Sequence, residues 1–330
     1  MKQNFVSAFY FNNSNLAERV EKFLELVVKQ TDFKIEKLVQ QSSWWNSEKI
    51  GAILYRGTYQ QQPAILKIQG VKPTTSEVVM IEAFNNQNQS KIIRPPHLYF
   101  SLPWNQELEF EAFIMEDVSR EKIISLPAKT GEIEKFFELF HEYKTNCLKT
   151  SWLDKPSVSL AKQTAKNLIH WQKIRSELHP HHPLKKETDQ QLLEKGVKVL
   201  CDRLAEVDWQ FMHGHFSTHD LHRADEQVIL LSNLYWSWRQ PFYDAVFGFH
   251  WYQYDLANSE IDLQTLLTQR KNWKDYILAI IPQNEHDLKL LNLAFLERNL
   301  AGLNLDGLLN KTDKSEALME LTRKEITQVI

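Results

Sequence analysis

The stretch Phe211-Met212-His213-Gly214-His215-Phe216-Ser217-Thr218-His219-Asp220-Leu221-His222 decides how this chain is read. It carries four histidines, His213, His215, His219 and His222. Three chemistries compete for such a loop: a metal site, an acid–base loop, or histidines that pack. Imidazole suits Zn²⁺, and His213 and His215 at i, i+2 would share one strand face. A histidine beside a reacting hydroxyl can accept its proton near pH 7. Downstream come an apolar run at Val228 to Leu231, then Ser232, then Pro241-Phe242-Tyr243-Asp244.

Upstream of this loop the texture is helical. Glu132 to Thr145, Ser157 to Ser176 and Glu187 to Val207 each space apolar residues by three and four. From Tyr243 to the end the chain again reads as helix. The first third differs. Asn15 to Gln30 predicts an amphipathic helix through Leu16, Val20, Phe23, Leu24 and Val27. Lys49 to Gln60 and Ala64 to Ile68 flank the turn-like Gln60-Gln61-Gln62-Pro63, which predicts a β-hairpin. Pro73 to Asn86 predicts a helix entered through Thr74 and Thr75. Leu98 to Leu102 and Glu109 to Met115 predict a further strand pair, after the stiff Arg94-Pro95-Pro96. The order is a β-rich portion over 1–117, holding one long helix after its N-terminal one, and a mostly helical portion over 118–330.

Lys67 ends the apolar run Ala64-Ile65-Leu66-Lys67-Ile68. An ammonium in such a strand needs a partner or water, because burying it alone is costly. The next helix offers Glu77, which shares a stripe with Met80, Ile81 and Phe84, and Glu82 as the alternative. A lysine snorkelling to water from an edge strand is the plainer reading. Phe113-Ile114-Met115-Glu116-Asp117 lies at the junction of the two portions, where an apolar strand runs into acidic residues.

Taken together, these segments resemble the aminoglycoside phosphotransferase and choline kinase-like family, over Glu36 to Tyr254. The resemblance implies an α+β, two-lobed protein kinase-like fold with a small β-rich N-lobe and a larger helical C-lobe. It implies ATP with Mg²⁺ as cofactor, Lys67 and Glu77 at the nucleotide phosphates, and a hinge at Met115-Glu116-Asp117. The family's catalytic loop, H-G-D-x-x-x-x-N, aligns with His213 to Asp220, and its later P-x-Y-D with Pro241-Phe242-Tyr243-Asp244. His215 then stands at the catalytic Asp, Asp220 at the metal-ligand Asn, and Ser232 at the metal-ligand Asp. The phosphate loop falls around Ser43 to Gly51, with a single glycine there. A shifted frame would match Asp220 to Asp225 with the family's D-L-H-P-G-N. It leaves too little chain before Ser232 for the usual hairpin, here Leu221 to Arg223 and Val228 to Leu231.

Mg²⁺ is hard and takes near-octahedral oxygen ligands. A neutral serine at 232 binds it far less well than Asp, while Asp220 returns one carboxylate. Positioning and electrostatics dominate phosphoryl transfer. The expectation is therefore a catalytically impaired kinase-fold protein, or pseudokinase, that binds a nucleotide, a small molecule or a protein partner. The metal would be held weakly by Asp220 and Ser232. Two alternatives stand beside it. One is an active phosphotransferase for a small-molecule hydroxyl, using His215 and Asp220. The other is a zinc-dependent hydrolase built on His213, His215 and His219, although Ser217 and Thr218 stand where that pattern wants Asp and His.

Bulk composition narrows the rest. Hydrophobic residues are 43% and charged residues 25% of 330, enough apolar sequence for a sizeable core. Net charge is −3 with no long basic run, which argues against nucleic acid as a partner. No run of about 20 apolar residues exists, so no membrane span is expected. Cys147 and Cys201 are not in a ligand-like spacing and read as reduced thiols, which places the chain in the cytoplasm. Tyr235-Trp236-Ser237-Trp238 packs under the loop or stacks a ligand. Trp44-Trp45 is a candidate lid.

Overall fold

A computed structural model describes residues 14–42, 52–70, 76–118, 122–178, 187–306 and 311–330. The chain forms two units, Met1–Asn86 with Arg94–Glu121, and Gln87–Ile93 with Lys122–Ile330. The expected phosphate loop at 43–51, Trp44-Trp45 and the helix entry at Thr74 and Thr75 lie outside the described residues.

The first unit runs α1 (Ser14–Thr31), β1 (Lys34–Ser42), β2 (Ala52–Tyr59), β3 (Gln62–Gln69) and α2 (Glu77–Gln87). After β4 (Ile93–Arg94), where the chain passes between units, come β5 (Leu98–Asn105) and β6 (Phe110–Glu116). The five longer strands form one antiparallel sheet in the order β1-β2-β3-β6-β5. The predicted hairpin is β2–β3. Gln60 and Gln61 turn it with φ of 50° and 68°, and Tyr59 faces Gln62. Two positive φ values match the right-handed strand twist, which is why such tight turns use them. Pro63 sits near the strand's start, where a missing N–H is tolerated.

Alternation along β3 splits the unit's core in two. Leu66 and Ile68 join Phe23 and Val27 of α1, with Phe33, Ile53, Phe110 and Ile114. Ile65 turns the other way, packing with Phe113, Met115 and Ile81 of α2. Lys67 therefore lies on the α2 face. β1 was not anticipated as a separate strand. It is an edge strand whose Ile35, Leu38 and Val39 are exposed, so its sequence carries little inward pattern. Its close approach to β2 is marked at Gly57, where a Cβ would fall 2.0 Å from the Lys34 carbonyl oxygen.

The second unit is helical, with α3 (Glu132–Glu142), α4 (Leu160–Leu178), α5 (Glu187–Arg203), α6 (Tyr243–Asn258), α7 (Leu263–Ile280), α8 (Glu285–Ala301) and α9 (Asp313–Val329). One wider turn, Tyr143–Cys147, continues α3. Short strands interrupt the helices: β7 (Gln210–Met212) pairs with β10 (Ser237–Arg239), and β8 (Leu221–Ala224) with β9 (Gln227–Leu230). α6 is buried on nearly all sides, the expected state for a helix that is apolar all round. Among the described residues, no helix is long and apolar enough to cross a membrane.

Candidate functional site

In the first unit, Lys67 Nζ is ion-paired to Glu77 Oε2, and Glu77 is buried. Glu82 is exposed and takes no part in that pair. The choice follows from geometry: Glu77 opens α2 on the side facing the sheet, with Met80, Ile81 and Phe84 buried along the same stripe. The Phe113 ring lies 5.6 Å from the ammonium and holds it by its negative face. A second carboxylate, Glu111, is also buried on this face of β6. Burial pushes its pKa up, and the Glu77 charge adds to the rise against the pull of Ser76 and Lys67. The apolar run Phe110 to Met115 hides Glu111 among core residues, which is why it was missed. A lone charge inside such a run was the available signal.

The expected hinge residues are bound inward. Met115 is buried beside Ile65 and Phe113. The Glu116 carboxylate pairs with Arg94 and accepts the His97 N–H at 2.6 Å, and its own N–H donates to the His97 carbonyl. Asp117 pairs with Arg56 at 3.0 Å. The acidic side chains of this segment thus serve two arginines.

In the second unit, β7 delivers the chain into the histidine loop. Gly214 has φ 75°, and a Cβ there would lie 2.6 Å from the Tyr235 carbonyl oxygen, so only glycine fits. The His213 N–H donates to Tyr143 Oη at 2.6 Å, and Tyr143 donates to Asp244 Oδ2 at 2.7 Å. The Pro-Phe-Tyr-Asp segment thereby anchors the loop through a tyrosine that sequence reasoning did not single out. Burial raises the Asp244 pKa, offset by Tyr143, Lys144, Arg239 and the Gly214 N–H. The His213 ring is fully enclosed, edge-on to Trp236, and burial drives its pKa down to about 3. It is a neutral packing residue.

His215 and Asp220 meet. His215 Nδ1 lies 2.9 Å from Asp220 Oδ2, and Ser217 Oγ donates to the same oxygen at 2.5 Å. Asp220 is buried; burial alone would raise its pKa, but His215, His213 and Ser217 together hold it at about 2. His215 stacks on Tyr235 and tilts against Phe247, with ring centroids 4.4 and 4.6 Å away. Ser232 is brought near by the backbone, because the Leu231 N–H donates to the Asp220 carbonyl at 2.8 Å. Ser232 itself has φ 57° and ψ 38°, a region where Asp and Asn are enriched and Ser is not. The β8–β9 hairpin, turned at Asp225 with φ 53°, occupies the place that the preferred frame requires.

His219 leaves this group and pairs with Asp255 of α6 at 2.5 Å; burial lowers its pKa, but Asp255 raises it overall. His222 reaches the His219 carbonyl. Among the described residues, no group of three or more His, Cys, Asp and Glu is placed to hold a metal ion. With His213 enclosed and His219 turned to Asp255, the zinc arrangement is not assembled. The residues expected to hold Mg²⁺ are differently engaged. Asp220 Oδ2 is already taken by two hydrogen bonds, and Ser232 offers only a neutral hydroxyl.

The fold matches solved phosphotransferases at low sequence identity. A thermostable mutant of aminoglycoside phosphotransferase APH(4)-Ia, in ternary complex with ADP and hygromycin B, superposes with a TM-score of 0.59 at 10% identity, over 94% of this chain and 97% of that one. Amicoumacin kinase in complex with AMP-PNP, Ca²⁺ and Ami gives 0.57 at 11% identity, over 96% of each chain. Choline kinase from Cryptosporidium parvum Iowa II gives 0.52 at 11%, over 94% and 95%. No family model matches the chain, and no curated protein matches it by sequence. The chain has the protein kinase-like fold of these phosphotransferases.

Proposed function

We propose that this protein is a degenerate relative of the aminoglycoside phosphotransferase and choline kinase-like family, one that binds a nucleotide but has lost ordinary magnesium-dependent phosphoryl transfer. The observation that carries the reading is the state of Asp220. Its carboxylate is buried and hydrogen-bonded to His215 and Ser217, with neutral Ser232 where the second metal ligand belongs. ATP supplies the phosphates in this reading. Lys67, held by Glu77, is the residue that would take them, since a paired ammonium keeps its donors oriented. Nucleotides in two of the similar structures support it. Cys147 and Cys201 are both free thiols, in keeping with a cytoplasmic location.

The test is a thermal-shift titration with ATP, with and without Mg²⁺ or Mn²⁺. A ligand that binds only the native state raises its stability by mass action. The expected result is a metal-independent rise in Tm that Lys67→Ala abolishes. A rise that requires Mg²⁺, accompanied by phosphate transfer to a hydroxyl substrate, overturns it.

A second reading, an active phosphotransferase, has one observation in its favour. Asp220 fixes the Nδ1 side of His215, and the His215 side chain keeps 24% exposure. Nε2 is then the nitrogen left to accept a hydroxyl proton. This reading predicts turnover that both His215→Ala and Asp220→Ala destroy. No transfer across a broad panel of alcohols removes it.

A further inference from the structure

The second unit contains a cavity of about 180 Å³ that none of the residues assigned above explains. Phe137 and Phe140 of α3, Met212 of β7 and Ile281, just past α7, line it. Phe242, at the start of α6, also lines it and is held at φ 63° and ψ 3°. A bulky aromatic in that region is a genuine backbone outlier, and such strain persists only where its surroundings enforce it. The polar groups on the lining are unevenly placed. Asp244 is 2% exposed, and its Oδ2 accepts a hydrogen bond from the Tyr143 hydroxyl. His141 and Lys144, one turn apart, are exposed and stand at the opening.

From this arrangement we infer a binding site for a small apolar carboxylate, a medium-chain fatty acid or an aryl acid, with its tail in the cavity and its carboxylate at Lys144. Size comes first. An apolar cavity of roughly 150 Å³ stays dry and takes a benzene-sized guest, so 180 Å³ holds one ring or a short folded chain. Aromatic and aliphatic walls reward burial of such a tail in proportion to its apolar area. Charge then sets the direction. The enclosed Asp244 carboxylate repels an anion, while the exposed Lys144 attracts it. Lys144 has no carboxylate partner among the described ion pairs; burial of its ammonium lowers its pKa, and the Asp244 charge acts to raise it, although the residue as a whole keeps an exposed surface. A ligand carboxylate would supply the counter-charge through a charge-assisted hydrogen bond.

The probes are sodium octanoate and phenylacetate, with 1-octanol as the neutral match, in calorimetric and thermal-shift titrations of the full chain. Octanoate is expected to bind and raise Tm, and octanol to bind more weakly. Lys144→Met, a surface change, should weaken octanoate by about tenfold or more while leaving octanol unaffected, as loss of one charged hydrogen bond implies. Ile281→Trp should fill the cavity and abolish both. If that variant does not fold, Met212→Phe serves the same purpose. Failure of octanoate to bind the unaltered chain overturns the proposal. So does octanoate binding that is unchanged in Lys144→Met, or that survives in a folded cavity-filled variant. ATP binding plays no part in these readouts, so the nucleotide reading stands or falls apart from them.

Discussion

Ser232 is the residue on which the proposed loss of catalysis turns. It holds a left-handed backbone conformation that a serine side chain does nothing to favour. Ser232→Asp should therefore be neutral or slightly stabilising, and it adds a carboxylate next to the chain that is bonded to Asp220. The expected outcome is an ATP-induced thermal shift that becomes larger when Mg²⁺ is present. An unchanged metal response in a folded variant would show that position 232 is not what limits metal binding. Lys67 permits a second comparison. Glu77→Gln leaves a half-buried ammonium without its counter-charge and should cost on the order of 1–3 kcal/mol. Glu82 is exposed, so Glu82→Gln should stay within about 0.5 kcal/mol. Urea denaturation of the two variants separates them, and equal losses would refute the assignment of Glu77 as the partner. Helical spacing favoured Glu77, which shares a stripe with Met80, Ile81 and Phe84, and kept Glu82 as the alternative on the same short helix.

At the scale of elements, the loop after β7 is held by the helical elements against which it packs. Tyr143, in the wide turn that continues α3, joins the His213 N–H to Asp244 at the start of α6. Tyr143→Phe keeps the ring, which stacks on Phe216 at 4.5 Å, and deletes only the hydroxyl. It strands a buried N–H and a buried carboxylate oxygen, so a loss of roughly 2–4 kcal/mol is expected. Hydrogen exchange at the His213 amide should rise more than exchange across α4 or α5. Uniform acceleration would mean that the hydroxyl supports the whole unit rather than this loop. The β1–β2 pair at the sheet edge offers a parallel case. Gly57→Ala drives a methyl into the Lys34 carbonyl, so β1 should detach or shift, with a loss of on the order of 1–3 kcal/mol. The helices, the hairpins and their order were legible because their apolar spacings are strong. β1 was not, because an edge strand with exposed Ile35, Leu38 and Val39 shows little alternation toward a core.

The molecule as a whole should be sensitive to acid. His213 has its folded pKa pushed down to about 3 from an ordinary 6.5. The unfolded chain therefore binds the proton first, and this residue's contribution is lost as pH falls from about 6.5 toward 3, on the order of 5 kcal/mol in full. Asp220, held at about 2 against an ordinary 3.8, loses its own contribution at lower pH, between about 4 and 2. Both act in the same direction. Unfolding free energy from urea titrations should decline from pH 7 to pH 4, and His213→Leu should flatten that slope if the variant is folded. A slope that persists unchanged in His213→Leu would assign the acid sensitivity to other groups.

Local sequence was enough to place Lys67 in an apolar strand and to order the elements of a kinase-like fold; the expectation that His215, Asp220 and Ser232 depart from a catalytic pattern came from the resemblance. Periodicity and motif spacing act over a few residues, and these features are local. Which partners the histidines of the loop take was decided by packing. Burial made His213 a neutral packing residue, Asp255 drew His219 away, and His215 with Ser217 occupied the carboxylate of Asp220. The anchor of the loop joins Tyr143 and Asp244 across 101 positions. No repeat or spacing encodes such a pair. It exists only because packing brings the turn that continues α3 against the start of α6, where a buried hydroxyl and a buried carboxylate satisfy each other.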